Sequence, residues 1–61
     1  MIKLTRASGT PLLFNEDFIA VVEETPDTVV TLQSGNKYFV KETVDEIMEK
    51  IMQFEKEKKS L

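Results

Sequence analysis

The sequence contains no cysteine and no histidine. Without thiols there is no disulfide to staple the chain and no thiolate to attack a substrate or hold a metal. Without imidazole, Ser-His-Asp chemistry, histidine-based acid–base catalysis and the usual zinc sites are excluded. Gly9 and Gly35 are the only glycines, too few for a G-x-G-x-x-G fingerprint or a phosphate-cradling loop. Long apolar runs are missing too. The longest, Phe18 to Val22, falls far short of the roughly 20 residues that span a bilayer. The opening Met1–Arg6 carries no apolar stretch of signal-peptide length, so the chain is expected in the cytoplasm with no membrane span. Basic excess is absent as well: eight Lys and Arg stand against eleven Asp and Glu, a net charge of −3. Lys56, Lys58 and Lys59 cluster, but Glu55 and Glu57 are interleaved with them. Phosphate neutralisation calls for clustered cations, so no nucleic acid is expected as a partner.

What remains is a chain of 61 residues, 41% hydrophobic and 31% charged, which reads as one globular domain over residues 1–61. A chain this short buries only about 60% of the surface its unfolded form exposes. Residues 2–6 alternate apolar and polar, the mark of a strand with Ile2 and Leu4 facing in. A turn at 7–10 follows, and Pro11 opens a second strand running to Phe14. Asn15 is placed to cap one short helical turn. Phe18 to Glu23 or Glu24 forms a third strand, rich in β-branched residues, which Thr25-Pro26-Asp27 ends. A fourth strand over 28–33 and a fifth over 37–41, joined through Ser34-Gly35-Asn36, form an antiparallel hairpin.

After Glu42 the apolar period changes from 2 to 3.6. Val44, Ile47, Met48, Ile51 and Phe54 fall on one stripe of a helix expected over about 44–56, with a frayed tail at 57–61. Thr43 and Glu46 make a capping box. Glu42, Asp45 and Glu46 lie at the positive end of the helix dipole, and the lysines of the tail at its negative end. The fold class is therefore α+β: a small antiparallel sheet of four to five short strands, as a meander or partly open barrel, then one amphipathic helix.

No constellation here carries chemistry. Glu23 and Glu24 are neighbours on a strand and point to opposite faces; Asp45 and Glu46 are accounted for by capping. Met48, Met52 and Phe54 at helical spacing read as packing rather than a ligand stripe. Hence the protein is expected not to be an enzyme, and to need neither cofactor nor metal.

The strands carry apolar side chains on both faces. Leu12 and Phe14 oppose Leu13; Phe18, Ala20 and Val22 oppose Ile19 and Val21; Tyr38 and Val40 oppose Phe39. One helix covers one face at most, so the other must close as a small barrel or meet another subunit. Sixty-one residues leave little material to do both, and a dimer or tetramer is expected, with Leu13, Ile19, Val21, Phe39 and Met52 as its contact residues.

The string Glu24-Thr25-Pro26-Asp27-Thr28-Val29-Val30-Thr31-Leu32, with Gly35-Asn36-Lys37-Tyr38-Phe39-Val40-Lys41-Glu42, resembles the small flagellar FlbD family. The opening Ile2–Arg6, Gly9 and Asn15 fit the same pattern, and the likeness runs from Met1 to about Phe54. It implies a non-enzymatic accessory of bacterial flagellar and swarming motility that supports motor power. Its partners would be flagellar motor or motility proteins, with a place in the cytoplasm at the flagellar base. No active site is carried over; Arg6, Asp27, Lys37, Tyr38, Lys41 and Glu42 match the motif and are candidates for a shared contact surface. A second resemblance, to the carbon storage regulator, a small RNA-binding protein, covers only Met1, Leu4, Thr5, Arg6 and Gly9. That regulator's basic residue before its helix falls near Lys41-Glu42, where only the lysine fits and a glutamate follows, and the acidic charge disfavours phosphate binding.

Overall fold

The structure, a computed structural model, describes residues 1–59, with side chains described through Phe54. Five strands precede one helix: β1 (Ile2–Thr5), β2 (Pro11–Phe14), β3 (Ile19–Glu24), β4 (Thr28–Leu32), β5 (Lys37–Val40) and α1 (Val44–Lys59). A 3-10 turn, Glu16–Phe18, lies between β2 and β3, capped by Asn15, whose Oδ1 accepts from the Asp17 N–H at 3.0 Å. The α+β class is as expected, and so is the antiparallel pairing of β4 with β5.

β1 and β2 form a two-stranded sheet; β3, β4 and β5 form a three-stranded one in sequence order. The two meet at a corner. Arg6 forms an antiparallel bridge with Val40, where Ala7 N–H donates to the Phe39 carbonyl and Lys41 N–H to that of Thr5, both at 2.8 Å. The order around the molecule is thus β2–β1, a corner, then β5–β4–β3, an arrangement open between β2 and β3. Glu42 locks the corner: its two carboxylate oxygens accept the Thr5 N–H at 2.9 and 3.0 Å.

Alternation dictates the core. Ile2 and Leu4 of β1, Phe14 of β2, Val30 of β4 and Val40 of β5 are buried, joined by Ile47 of α1. Leu12, Ile19, Val22, Leu32, Tyr38, Ile51 and Phe54 pack against them. The helix begins as its sequence demands. Thr43 Oγ1 accepts the Glu46 N–H at 3.1 Å while Glu46 Oε1 accepts the Thr43 N–H at 2.8 Å, the reciprocal capping box. Glu24 Oε1 takes the Val44 N–H at 2.8 Å, so β3 itself caps the helix and fixes its entry.

Four expectations are corrected. The third strand does not begin at Phe18, which ends the 3-10 turn; β3 starts at Ile19. Nor do Ile19 and Val21 share a face. The register slips between them, with Ile19 opposite Leu32 and Val21 opposite Thr31, so Ala20 is the extra residue of a bulge. That puts Ile19 on the core side with Val22 and leaves Val21 outside. Met48, placed on the buried stripe by periodicity, is exposed; Ile47 and Ile51 occupy the centre of the stripe and Met48 falls beyond its edge. The helix extends to Lys59, three residues past its expected end, and residues 60 and 61 of the expected tail lie outside the described residues. The lysine side chains read at the negative end of the dipole lie outside them too.

Candidate interaction surface

Two concavities flank β5 and the sheet corner. The first, about 180 Å³, lies where the barrel is open. Residues Leu12–Asn15 along β2 form one wall; Phe18 and Leu32, from the three-stranded side, form the other. Between them Tyr38 meets the Phe14 ring edge-on, centroids 5.4 Å apart, and the Arg6 guanidinium sits over Tyr38 at 5.8 Å from its centroid. The second, about 460 Å³, is lined by Glu24 and the Pro26–Thr28 turn on one side and by Phe39–Lys41, Thr43 and Ala7 on the other. The Thr25–Pro26 peptide bordering it is cis.

The motif-matching residues divide between them. Arg6 and Tyr38 lie in the aromatic groove, Asp27 and Lys41 in the second, and Lys37 on the exposed outer side of β5. Glu42 is not surface chemistry at all: it holds the β1 backbone. Its carboxyl is pushed up by partial burial. The Thr5 N–H, its own backbone amide, the Thr5 side chain and the Lys50 charge together outweigh that and hold it below the usual carboxylate value of 4.5.

Of the expected contact residues, Leu13 (67% exposed), Val21 (48%), Phe39 (52%) and Met52 (62%) all face solvent. They do not form one patch. Leu13 lies in the aromatic groove. Val21 and Phe39 share the outer face of the three-stranded sheet, on diagonally adjacent rows, Val21–Thr31–Lys37 and Glu23–Val29–Phe39. Met52 lies beside Met48 on the outer side of α1. Ile19 packs against the core of its own chain.

The family model for FlbD, flagellar and swarming motility proteins, matches residues 1–58. The chain belongs to the FlbD family. No curated protein and no solved structure is significantly similar to it. In this FlbD-family chain the turn Glu24–Thr28 and the segment Phe39–Thr43 come together around the second concavity. Two of their acids are tied into the fold, as Glu24 caps α1 and Glu42 pins β1. Among the described residues no three Asp or Glu come together in a group able to hold a metal ion, and no helix is long and apolar enough to cross a membrane.

Sequence reasoning missed Phe18 and Met48 as exposed apolar residues. β-branched composition places Phe18 in a strand, whereas the Asn15 cap carries the signal for the turn that Phe18 ends. For Met48, helical spacing alone does not distinguish the centre of a stripe from its margin.

Proposed function

We propose that the protein is a non-enzymatic accessory of bacterial flagellar motility, acting by non-covalent protein–protein contact on the cytoplasmic side of the motor to support its power. The observation that carries this reading is the FlbD match over residues 1–58. The residue inventory agrees with it: with neither Cys nor His, and with the Glu42 carboxyl, which is held low, committed to a backbone N–H, the surface offers shape, apolar contact and charge. Self-association belongs to the same proposal. The outer face of β3–β5 presents Val21 and Phe39 with half-buried Val29 between them, an apolar strip that a symmetry-related copy can cover.

The test is genetic. A strain lacking this chain should assemble filaments yet swarm poorly, and re-expression should restore swarming. Unchanged motility on deletion, or nanomolar binding of RNA at physiological salt by the purified protein, would contradict the reading.

A further inference from the structure

We propose that the aromatic groove beside β2 receives an extended apolar segment of a partner protein bearing an Asp or Glu, added as a strand to the free edge of β2; this deepens the contact-based reading above and rests on it. The first ground is the edge itself. β2 pairs with β1 alone. Arg6 N–H donates to the Thr10 carbonyl at 2.8 Å, which fixes the parity of the ladder. Leu4–Leu12 and Ile2–Phe14 are then the pairs that exchange hydrogen bonds, and Lys3–Leu13 lies between them. Thr5, of the same parity as Lys3, agrees: its N–H and carbonyl are engaged on the far side of β1, by Glu42 and Lys41. The N–H and C=O of Leu13 therefore point away from β1, into the open edge. Such edges are ordinarily guarded by a charge, a proline or a covering element. Pro11, the first residue of β2, supplies one such guard and offers no N–H at that end; beyond it the residues beside the opening are Leu12, Leu13 and Phe14, and Leu13 is two-thirds exposed.

The second ground is the opposite wall. Phe18 is more than half exposed and faces the β2 edge across the groove with Leu32, so an added strand would find apolar surface on both sides.

The third is charge. Arg6 rests on the Tyr38 ring and, among the described residues, has no carboxylate partner. A guanidinium placed by its ring contact keeps its N–H fork free. In a chain of net charge −3 this cation at an apolar rim selects a carboxylate locally. Strand addition draws affinity from the main chain and specificity from alternate side chains. The occupant is thus apolar at the positions facing the groove and acidic at the end nearest Arg6.

The experiment is selection of a displayed random dodecapeptide library against the full chain, followed by amide shift mapping with the enriched peptide. Expected are apolar–acidic sequences that shift the amides of Leu12–Asn15 and Phe18. Binding should weaken roughly fivefold or more in Arg6→Gln, as for loss of a charge-assisted hydrogen bond, and should be lost in Leu13→Pro. Because that proline alters a strand residue, Leu13→Lys, which keeps the backbone donor, provides the second variant, and each variant must melt within a few degrees of the parent. Failure to enrich any peptide, enrichment of basic peptides, shifts confined elsewhere, or an edge already filled by a second copy would overturn the proposal. In cells, an Arg6→Gln strain that swarms normally while the deletion strain does not would overturn the groove and leave the motility role standing.

Discussion

At the scale of single residues, Glu42 shows what the sequence hides. It stands just before a helix and reads as a dipole residue, yet its carboxylate is spent on the Thr5 N–H, 37 positions away. That pairing exists only because β1 and β5 meet at a corner, which no local pattern announces. Since folding holds the Glu42 carboxyl below its ordinary 4.5, protonation favours the unfolded chain. Its contribution is complete above the unfolded value and disappears as pH falls through the depressed folded one. Glu42→Gln should cost about 1 kcal/mol at pH 7, and the variant should lose less stability than the parent when urea melts are repeated across the acid range. Gly35, by contrast, was legible. It sits in the β4–β5 turn with φ +97°, and a Cβ there would meet nothing within 4 Å. Gly35→Ala should therefore cost about 1–2 kcal/mol through backbone conformation alone, measurable as a shift of the denaturation midpoint without a change in its slope.

Among the elements, α1 was the most readable. Its capping box, its first residue and its buried stripe follow from a change of period at Thr43. Thr43→Ala should cost about 1 kcal/mol. Ile47→Ala should cost about 2–5 kcal/mol, enough to unfold much of a domain this small, whereas Met48→Ala should stay within about 0.5 kcal/mol. Equal losses at Ile47 and Met48 in urea denaturation would show that periodicity, not the observed packing, describes the helix face. The strands were legible in number and pairing but not in detail. β3 defeats a strict alternation because Ala20 is inserted opposite the β4 ladder. A small residue among Ile19, Val21 and Val22 gives no cue that one position is skipped, so Ile19 was read as facing outward when it packs on the core.

For the whole molecule, the two-sided apolar pattern was visible in the sequence, but its resolution was not. Corner bridging absorbs part of it into a partly open barrel, and the rest stays exposed as three separate regions: the aromatic groove, the β3–β5 outer face and the Met48–Met52 side of α1. Sites of this kind depend on how distant segments converge, which explains why Glu24–Thr28 and Phe39–Lys41 could be named from the motif but not placed around one concavity. Burying a Leu, Val or Phe contributes about 1.5–3 kcal/mol, which is the gain that the proposed pairing of outer faces sets against the cost of association. Sedimentation at tens of micromolar should give a dimer or tetramer, and Phe39→Glu should yield a folded monomer; a 7 kDa species from the unaltered chain would refute self-association. The central claim, that this FlbD-family protein supports flagellar motor power by contact rather than catalysis, is tested most directly by the torque of single motors, read from beads on filament stubs in a strain lacking it. Lowered torque on filaments present in normal number, restored by re-expression, is the predicted result; torque indistinguishable from that of the parent strain would contradict it.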